Sequence, residues 1–149
     1  MSEGTPFEPP AGAFTRERPI RFSHSDPAGI VYFPHYFDMF NALIEDWYGD
    51  ELGVDYSKLI LGGRQGFPIV HAECDFKVPS RMGERLSLTL LVERLGRSSL
   101  SFLIVGHLGG SERLRARIVT AMISLASGTS MPLPEDLRAT VEAYRQRCG

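Results

Sequence analysis

The chain contains 149 residues, 43% of them hydrophobic, and carries a formal net charge of -2 at pH 7. This length suffices for one domain with a sizeable core, and the small negative charge supplies no general positive field for nucleic acid or an anionic membrane surface. The two cysteines, Cys74 and Cys148, are too few for a disulfide scaffold and lack zinc-ligand spacing. The composition therefore favours a single-domain protein of the reducing cytoplasm, with neither a nucleic-acid nor a membrane partner.

The first twelve residues are polar and rich in proline and glycine, and they lack the apolar core of a signal peptide. We expect residues 1–12 to form a disordered leader and residues 13–149 to form one domain. No later segment is apolar over the length that a membrane-spanning helix needs. The core elements are therefore expected from residue 13 onwards.

The first two predicted elements are a strand and a long helix. Alternating apolar and polar side chains over residues 14–23, interrupted by Pro19, predict an irregular or edge strand. From Pro34, apolar residues recur at three- and four-residue steps and predict a helix of roughly four turns that ends near Gly49 or Gly53. The apolar stripe of this helix comprises Phe33, Phe37, Phe40, Leu43, Ile44 and Trp47.

Residues 70–78 alternate strictly between apolar and polar side chains, which predicts a strand with one core face. Cys74 belongs to that face, so we expect a buried core residue rather than a nucleophile. The other face carries His71 and Glu73 and is expected to meet another subunit, because a single sheet leaves a face and its edges uncovered. The apolar face comprises Val70, Ala72, Cys74, Phe76 and Val78.

Three more strands are predicted over residues 86–92, 98–105 and 112–125, followed by a short helix over residues 135–145. The last strand is predominantly apolar from residue 119, which indicates burial on both faces. A strand, a long helix and four antiparallel strands together predict an α+β fold in which one sheet wraps the helix. The arginines of the last strand indicate a solvated face and are Arg113, Arg115 and Arg117.

Asp26 lies in a turn-forming run, Ser25-Asp26-Pro27-Ala28-Gly29. Pro27 keeps Asp26 out of the helical region, and Gly29 can supply a positive φ. The carboxylate is therefore displayed on a bend. It is either an ordinary turn-former that accepts nearby backbone N–H groups or a catalytic carboxylate.

The start of the long helix lacks a side-chain cap. Pro34 suits the first helical position, but Phe33 before it has no oxygen to offer. We expect the N–H groups of Phe33, His35 and Tyr36 to be free to bind an electron-rich oxygen. A carboxylate facing such a group is an arrangement suited to acyl transfer.

Residues 26–34, Asp-Pro-Ala-Gly-Ile-Val-Tyr-Phe-Pro, followed by an aromatic-rich helix, resemble the 4-hydroxybenzoyl-CoA thioesterase family of the hotdog fold. Three later segments fall where that family has similar features. They are residues 73–79 before the Gly83-Glu84 turn, the hairpin 96–99 and residues 132–135. The resemblance runs from about residue 20 to about residue 138. It implies an antiparallel five-stranded sheet around one helix, a homo-oligomer that is at least a dimer and typically a tetramer, and no cofactor beyond the CoA of the substrate.

The resemblance also implies roles for individual residues. Asp26 corresponds to the nucleophile or general base, and the backbone N–H of Phe33 to the donor to the thioester carbonyl. The expected reaction is hydrolysis of an aromatic (benzoyl or 4-hydroxybenzoyl type) or short acyl-CoA to the free acid and CoA. The expected substrate-binding residues are His24 and His35 at the pocket entrance, His71 at a subunit contact, and Arg94, Arg97, Ser98 and Ser99 on a hairpin that resembles the CoA-contacting one.

Other interpretations stay open at this point. His24, Asp26 and His35 could share a metal ion, although their spacing matches no strong ligand motif. A hotdog dehydratase would use a helix carboxylate, for which Glu45 is the candidate. A non-catalytic acyl-CoA-binding module would tolerate the loss of Asp26. The hairpin residues are equally consistent with an ordinary charged turn, and His71 with a satisfied interface histidine.

Overall fold

The computed structural model describes residues 5–149. Five strands form one antiparallel sheet in the order β1-β4-β5-β6-β3, and β2 pairs with β7 in a separate two-stranded sheet. The α+β arrangement predicted from the sequence is confirmed. The elements are β1 (Phe14–Pro19), α1 (Pro34–Asp46), β2 (Gln65–Gly66), β3 (Ile69–Phe76), β4 (Arg85–Leu95), β5 (Ser99–Leu108), β6 (Ser111–Ala121), β7 (Ile123–Ser124) and α2 (Glu135–Arg147).

Helix α1 begins at Pro34 as predicted and continues into a π-helical turn, Trp47–Glu51, before Gly53 adopts a φ of +69°. Its three- and four-residue spacing places one apolar face against the sheet. Phe33 does not belong to that face, because its side chain is 55% exposed. The buried residues are Tyr36, Met39, Phe40, Leu43, Ile44 and Trp47.

Helix α2 closes the core beside the end of α1. The ring of Tyr144 lies 5.6 Å from that of Trp47. Its hydroxyl accepts the Phe14 N–H at 2.8 Å and donates to the Leu90 carbonyl. One side chain of α2 is therefore hydrogen-bonded to two neighbouring strands, β1 and β4.

The C-terminal half of β6 is not buried on both faces. Buried and less buried residues alternate along the whole strand, and Val119 is only half-buried. The chain leaves the large sheet after Ala121, and Ile123–Ser124 pair with Gln65–Gly66 instead. The apolar residues therefore belong first to the large sheet and then to the two-stranded sheet, and they do not form one strand that is buried on both faces.

Strand β3 is an edge strand, since it pairs with β6 alone. Its predicted core face is largely exposed: Val70 keeps 61% and Phe76 49% of its surface, while Cys74 is half-buried. The prediction of a buried face was wrong for this protomer, because β3 lies at the sheet edge. Its Phe76 ring contacts the start of α1, 5.6 Å from the ring of Tyr36.

Part of the predicted leader lies against the β5–β6 hairpin. Pro6 forms a bridge with Ser111, and the Phe7 N–H donates to the Gly110 carbonyl at 2.9 Å. The Phe7 ring packs 4.9 Å from the ring of His107 on β5. Residues 1–4, the remainder of the predicted leader, lie outside the described residues.

Within residues 5–149, no helix combines the length and the apolar character that crossing a bilayer requires.

Candidate functional site

The Asp26 turn has the geometry expected from its sequence. The Asp26 N–H donates to the Ile30 carbonyl at 2.9 Å, and Gly29, at a φ of +80°, donates to the Asp26 carbonyl at 2.9 Å. One carboxylate oxygen, Oδ1, accepts the Ala28 N–H at 2.8 Å. The other oxygen has no hydrogen-bond partner among residues 5–149. The turn therefore holds Asp26 in place and leaves one oxygen available.

Backbone hydrogen bonds bring the turn next to the start of α1. Ser25 pairs with Val31, and the Tyr32 N–H donates to the His24 carbonyl at 2.8 Å. Because Asp26 is one residue beyond Ser25 and Phe33 is two residues beyond Val31, the carboxylate and the first turn of α1 occupy one small region.

The helix start offers one free donor instead of the three expected. The His35 N–H donates to the Tyr32 carbonyl at 2.9 Å, and the Tyr36 N–H donates to the Phe33 carbonyl at 3.0 Å. These two bonds form because Phe33 itself has helical angles, φ -52° and ψ -34°, and so tightens the first turn. The Phe33 N–H has no acceptor in the described part of the chain.

A cavity of about 640 Å³ opens beside Asp26. Two of its apolar walls are Phe22, 81% exposed, and Met82, 57% exposed. The alternation over residues 14–23 predicts a strand position for Phe22, which is wrong: β1 ends at Pro19, and Phe22 lies in a short 3-10 helix, Phe22–His24. Sequence reasoning also missed Met82 and Arg81, although their turn was among the landmarks of the resemblance.

The turn over residues 79–84 is fixed by an arginine from β6. Arg113 donates to both carboxylate oxygens of Glu84 at 3.1 Å and to the Pro79 carbonyl at 3.1 Å. Glu84 also accepts the Arg81 N–H at 2.7 Å. These bonds, those from Arg113 foremost, hold the pKa of the Glu84 carboxyl below its usual value.

Arg113 and Arg115 correct the prediction of a solvated arginine stripe. The register of β6 against β5 shifts near His107, and such a bulge redirects the Arg113 side chain towards the turn. Arg115 pairs at 2.7 Å with Glu112, which is 1% exposed and also pairs with Lys77. Only Arg117, paired with Glu93, lies on the exposed surface as expected.

His24 and His35 lie close together, with ring centroids 5.8 Å apart. Burial and the neighbouring His35 lower the pKa of His24, whose Nδ1 accepts the Arg21 N–H at 3.0 Å. Across residues 5–149, no three histidine, cysteine or carboxylate side chains converge as ligands of a metal would. The geometry does not support the alternative in which His24, Asp26 and His35 share a metal ion.

The other predicted residues lie away from Asp26 within the protomer. The hairpin with Arg94, Arg97, Ser98 and Ser99 follows the far end of β4, ten residue steps or roughly 33 Å from Arg85 at the Asp26 end. His71 is on the exposed edge strand, 3.4 Å from Glu73. Glu45 is exposed, about three helical turns after Pro34.

Cys74 remains a structural residue. Burial, together with the nearby Asp75, raises the pKa of its thiol to about 12. The thiol therefore stays protonated at neutral pH, and a protonated thiol is a poor nucleophile.

The chain is similar to known proteins over most of its length. Residues 20–141 match the family model of the thioesterase-like superfamily. The 1,4-dihydroxy-2-naphthoyl-CoA hydrolase of Synechocystis sp. is 29% identical over 132 residues, which are 87% of this chain and 95% of that protein. The hydrolase of the same name from Synechococcus elongatus is 33% identical over 125 residues, or 82% and 90% of the two chains.

Solved structures show the same fold. A 1,4-dihydroxy-2-naphthoyl-CoA thioesterase from Synechocystis has a TM-score of 0.76 at 26% identity, covering 87% of this chain and 95% of its own. A thioesterase-superfamily protein from Jannaschia sp. has a TM-score of 0.83 at 27% identity, with coverages of 92% and 96%. Because the family model matches residues 20–141, the chain belongs to the thioesterase-like superfamily. The family, the hotdog fold and the thioester hydrolase class predicted from residues 26–34 are confirmed.

Proposed function

We propose that this protein hydrolyses an aromatic acyl-CoA thioester to the free acid and CoA, with Asp26 as the catalytic carboxylate. The observation that carries the proposal is the juxtaposition of the free Asp26 oxygen, the unpaired Phe33 N–H and an adjoining cavity with apolar walls. A thioester carbonyl placed in this region would meet a nucleophile or base on one side and a hydrogen-bond donor at its oxygen.

Two routes are compatible with this geometry. In the first, the Asp26 carboxylate attacks the carbonyl carbon, CoA leaves as a thiolate, and water hydrolyses the resulting acyl anhydride. In the second, Asp26 removes a proton from a water molecule that attacks the same carbon. Both routes pass through a tetrahedral oxyanion, to which the Phe33 N–H donates. His24 and His35 would line the entrance, and neither route needs a metal ion or a cofactor.

An aromatic acyl group fits the cavity walls. Phe22 offers an exposed ring for offset or edge contacts, and Met82 offers a polarisable thioether that packs well on aromatic edges. The relatives named above act on 1,4-dihydroxy-2-naphthoyl-CoA. Its acyl group has two fused rings and a hydroxyl on the ring carbon next to the one that carries the acyl carbonyl. We therefore extend the benzoyl-type expectation to hydroxylated aromatic acyl groups of one or two rings.

The remaining predicted residues fit a homo-oligomer in the cytoplasm. Val70 and Phe76 on edge strand β3 expose apolar surface that a second copy of the chain would cover. In such an assembly, at least a dimer and by family resemblance a tetramer, His71 would lie near the contact. Arg94, Arg97, Ser98 and Ser99 would then serve the CoA phosphates of a neighbouring site.

The test is release of free thiol from benzoyl-, 2-hydroxybenzoyl-, 1,4-dihydroxy-2-naphthoyl- and short aliphatic acyl-CoA by the intact protein, Asp26→Asn and Glu45→Gln. Asn keeps the turn but removes the charge, so kcat should fall by about 10²- to 10⁴-fold. Glu45→Gln should match the parent. Failure to cleave any thioester, or an active Asp26→Asn, would refute the proposal, and loss in Glu45→Gln alone would favour a dehydratase-type site.

A further inference from the structure

We infer that Arg81 is a specificity-determining residue. It binds the hydroxyl oxygen on the ring carbon next to the one that carries the acyl group of a hydroxylated aromatic substrate. The inference rests on the proposed function and adds a residue that the sequence did not single out. It follows from where Arg81 lies, from what holds its turn, and from which cations near Asp26 are already engaged.

Arg81 lies directly over the Asp26 turn. It forms a bridge with Ile30, and its Nη1 lies 4.0 Å from the position that a Cβ on Gly29 would occupy. Arg81 lines the cavity together with Asp26, Phe22 and Met82. The guanidinium is therefore part of the wall that an acyl group near Asp26 would touch.

The guanidinium of Arg81 makes no hydrogen bond or salt bridge within residues 5–149. The acidic residue of its own turn, Glu84, is already engaged by two donors from Arg113 and by the Arg81 backbone N–H. The ion pair between Arg113 and Glu84 thus fixes the turn and occupies the carboxylate that would otherwise pair with Arg81. Among the described lining residues of the cavity, Arg81 is the single cation.

The position of Arg81 selects the kind of oxygen that it can bind. When the thioester carbon lies at Asp26, a substituent on the adjacent ring carbon is only a few bonds away and lies within the same cavity. The phosphates of CoA are separated from that carbon by the long pantetheine arm, whereas the ring substituent is not. The guanidinium also offsets the repulsion between the Asp26 carboxylate and the partially negative oxygen of such a hydroxyl.

The experiment uses two thioethers with no scissile bond, 2-hydroxyphenacyl-CoA and phenacyl-CoA, and measures binding by calorimetry to the parent, Arg81→Gln and Arg85→Gln. Arg85 is the matched control, since it is an exposed arginine four residues away that pairs with Glu17 at 3.0 Å. The parent and Arg85→Gln should bind the hydroxylated compound about 10- to 100-fold more tightly, as expected for a charge-assisted hydrogen bond. Arg81→Gln should have lost that preference while binding phenacyl-CoA as the parent does.

If Arg81→Gln weakened the binding of both compounds equally, the arginine would contact the CoA portion and the inference would be overturned. An unchanged preference for the hydroxylated compound would also overturn it. Because neither compound can be hydrolysed, the result stands whether or not thiol release is observed. A protein that binds with this preference but cleaves no thioester would refute the proposed function alone.

Discussion

Helix α1 and strand β3 carry equally regular apolar patterns, yet this protomer covers only one of them. On α1 and the π-helical turn that follows it, Phe40, Leu43 and Trp47 are at most 1% exposed, because the sheet and α2 enclose that face. On β3, Val70 and Phe76 retain 61% and 49%, because the strand lies at the sheet edge. Periodicity therefore identifies an apolar face, whereas topology decides whether the same chain buries it.

The largest expected difference concerns the covered face. Leu43→Ala should lower the free energy of unfolding by about 2–5 kcal/mol, since it removes a buried side chain and leaves a cavity in a packed core. The matched control on the exposed side of α1 is Asn41→Ala, which should lie within about 0.5 kcal/mol of the parent. Urea denaturation measures both, and similar midpoints for the two variants would contradict the buried position of Leu43.

The arginines of β6 extend the comparison to charged side chains. Arg113→Ala should cost about 1–2 kcal/mol, because Glu84, Ser80 and the Pro79 carbonyl lose a shared donor. Arg117→Ala removes an exposed pair with Glu93 and should leave the urea midpoint unchanged. Arg113→Lys should recover only part of the loss, since an ammonium cannot donate bidentately. Equal effects at both positions would show that the turn is not braced.

Substitutions on the exposed face of β3 should change the oligomeric state of the protein rather than the stability of the protomer. Val70→Lys places a charge on exposed surface and should leave the circular dichroism spectrum unchanged. If a second copy covers β3, the variant should dissociate at protein concentrations at least about tenfold higher than the parent, because a buried unpaired charge is unfavourable. Light scattering across a dilution series measures this, and an identical mass at every dilution would place the interface elsewhere.

The surface around His107, against which the Phe7 ring packs, should produce the smallest change in stability. Burial lowers the pKa of His107, whose Nε2 lies 2.8 Å from the Thr89 hydroxyl. The unfolded chain therefore takes up a proton as the pH falls below about 6.5, before the folded chain does, and stability is lost in that range.

Phe7→Ala should move the pKa of His107 back towards its usual value and flatten this part of the pH dependence. Urea midpoints between pH 5 and 8, together with the proton resonances of His107, measure the effect. Unfolding curves of parent and variant that keep the same pH slope would show that Phe7 does not bury the imidazole.

The sequence predicted the fold class and the bend that displays Asp26. The bend at Asp26, the Pro34 helix start and the antiparallel strands follow from local patterns that the structure retains, whereas the place of β3 beside β6 does not. The number of free N–H groups did not follow, because Phe33 adopts helical angles that no capping rule specifies. The roles of Arg81 and Arg113 did not follow either, because a bulge and an ion pair join Arg113 to Glu84, 29 positions away, and an isolated bridge places Arg81 beside Ile30.

The hydroxyl of Tyr144 ties together parts of the chain that are synthesised at very different times. Phe14, its hydrogen-bond partner on β1, precedes it by 130 positions. While a growing chain emerges from the ribosome, β1 is available long before Tyr144, so during that interval neither this hydrogen bond nor the core contact of α2 can hold the strand. The hydrogen bond from Phe14 to Tyr144 is therefore among the last contacts of β1 to form during synthesis, after β4 has become available to pair with that strand.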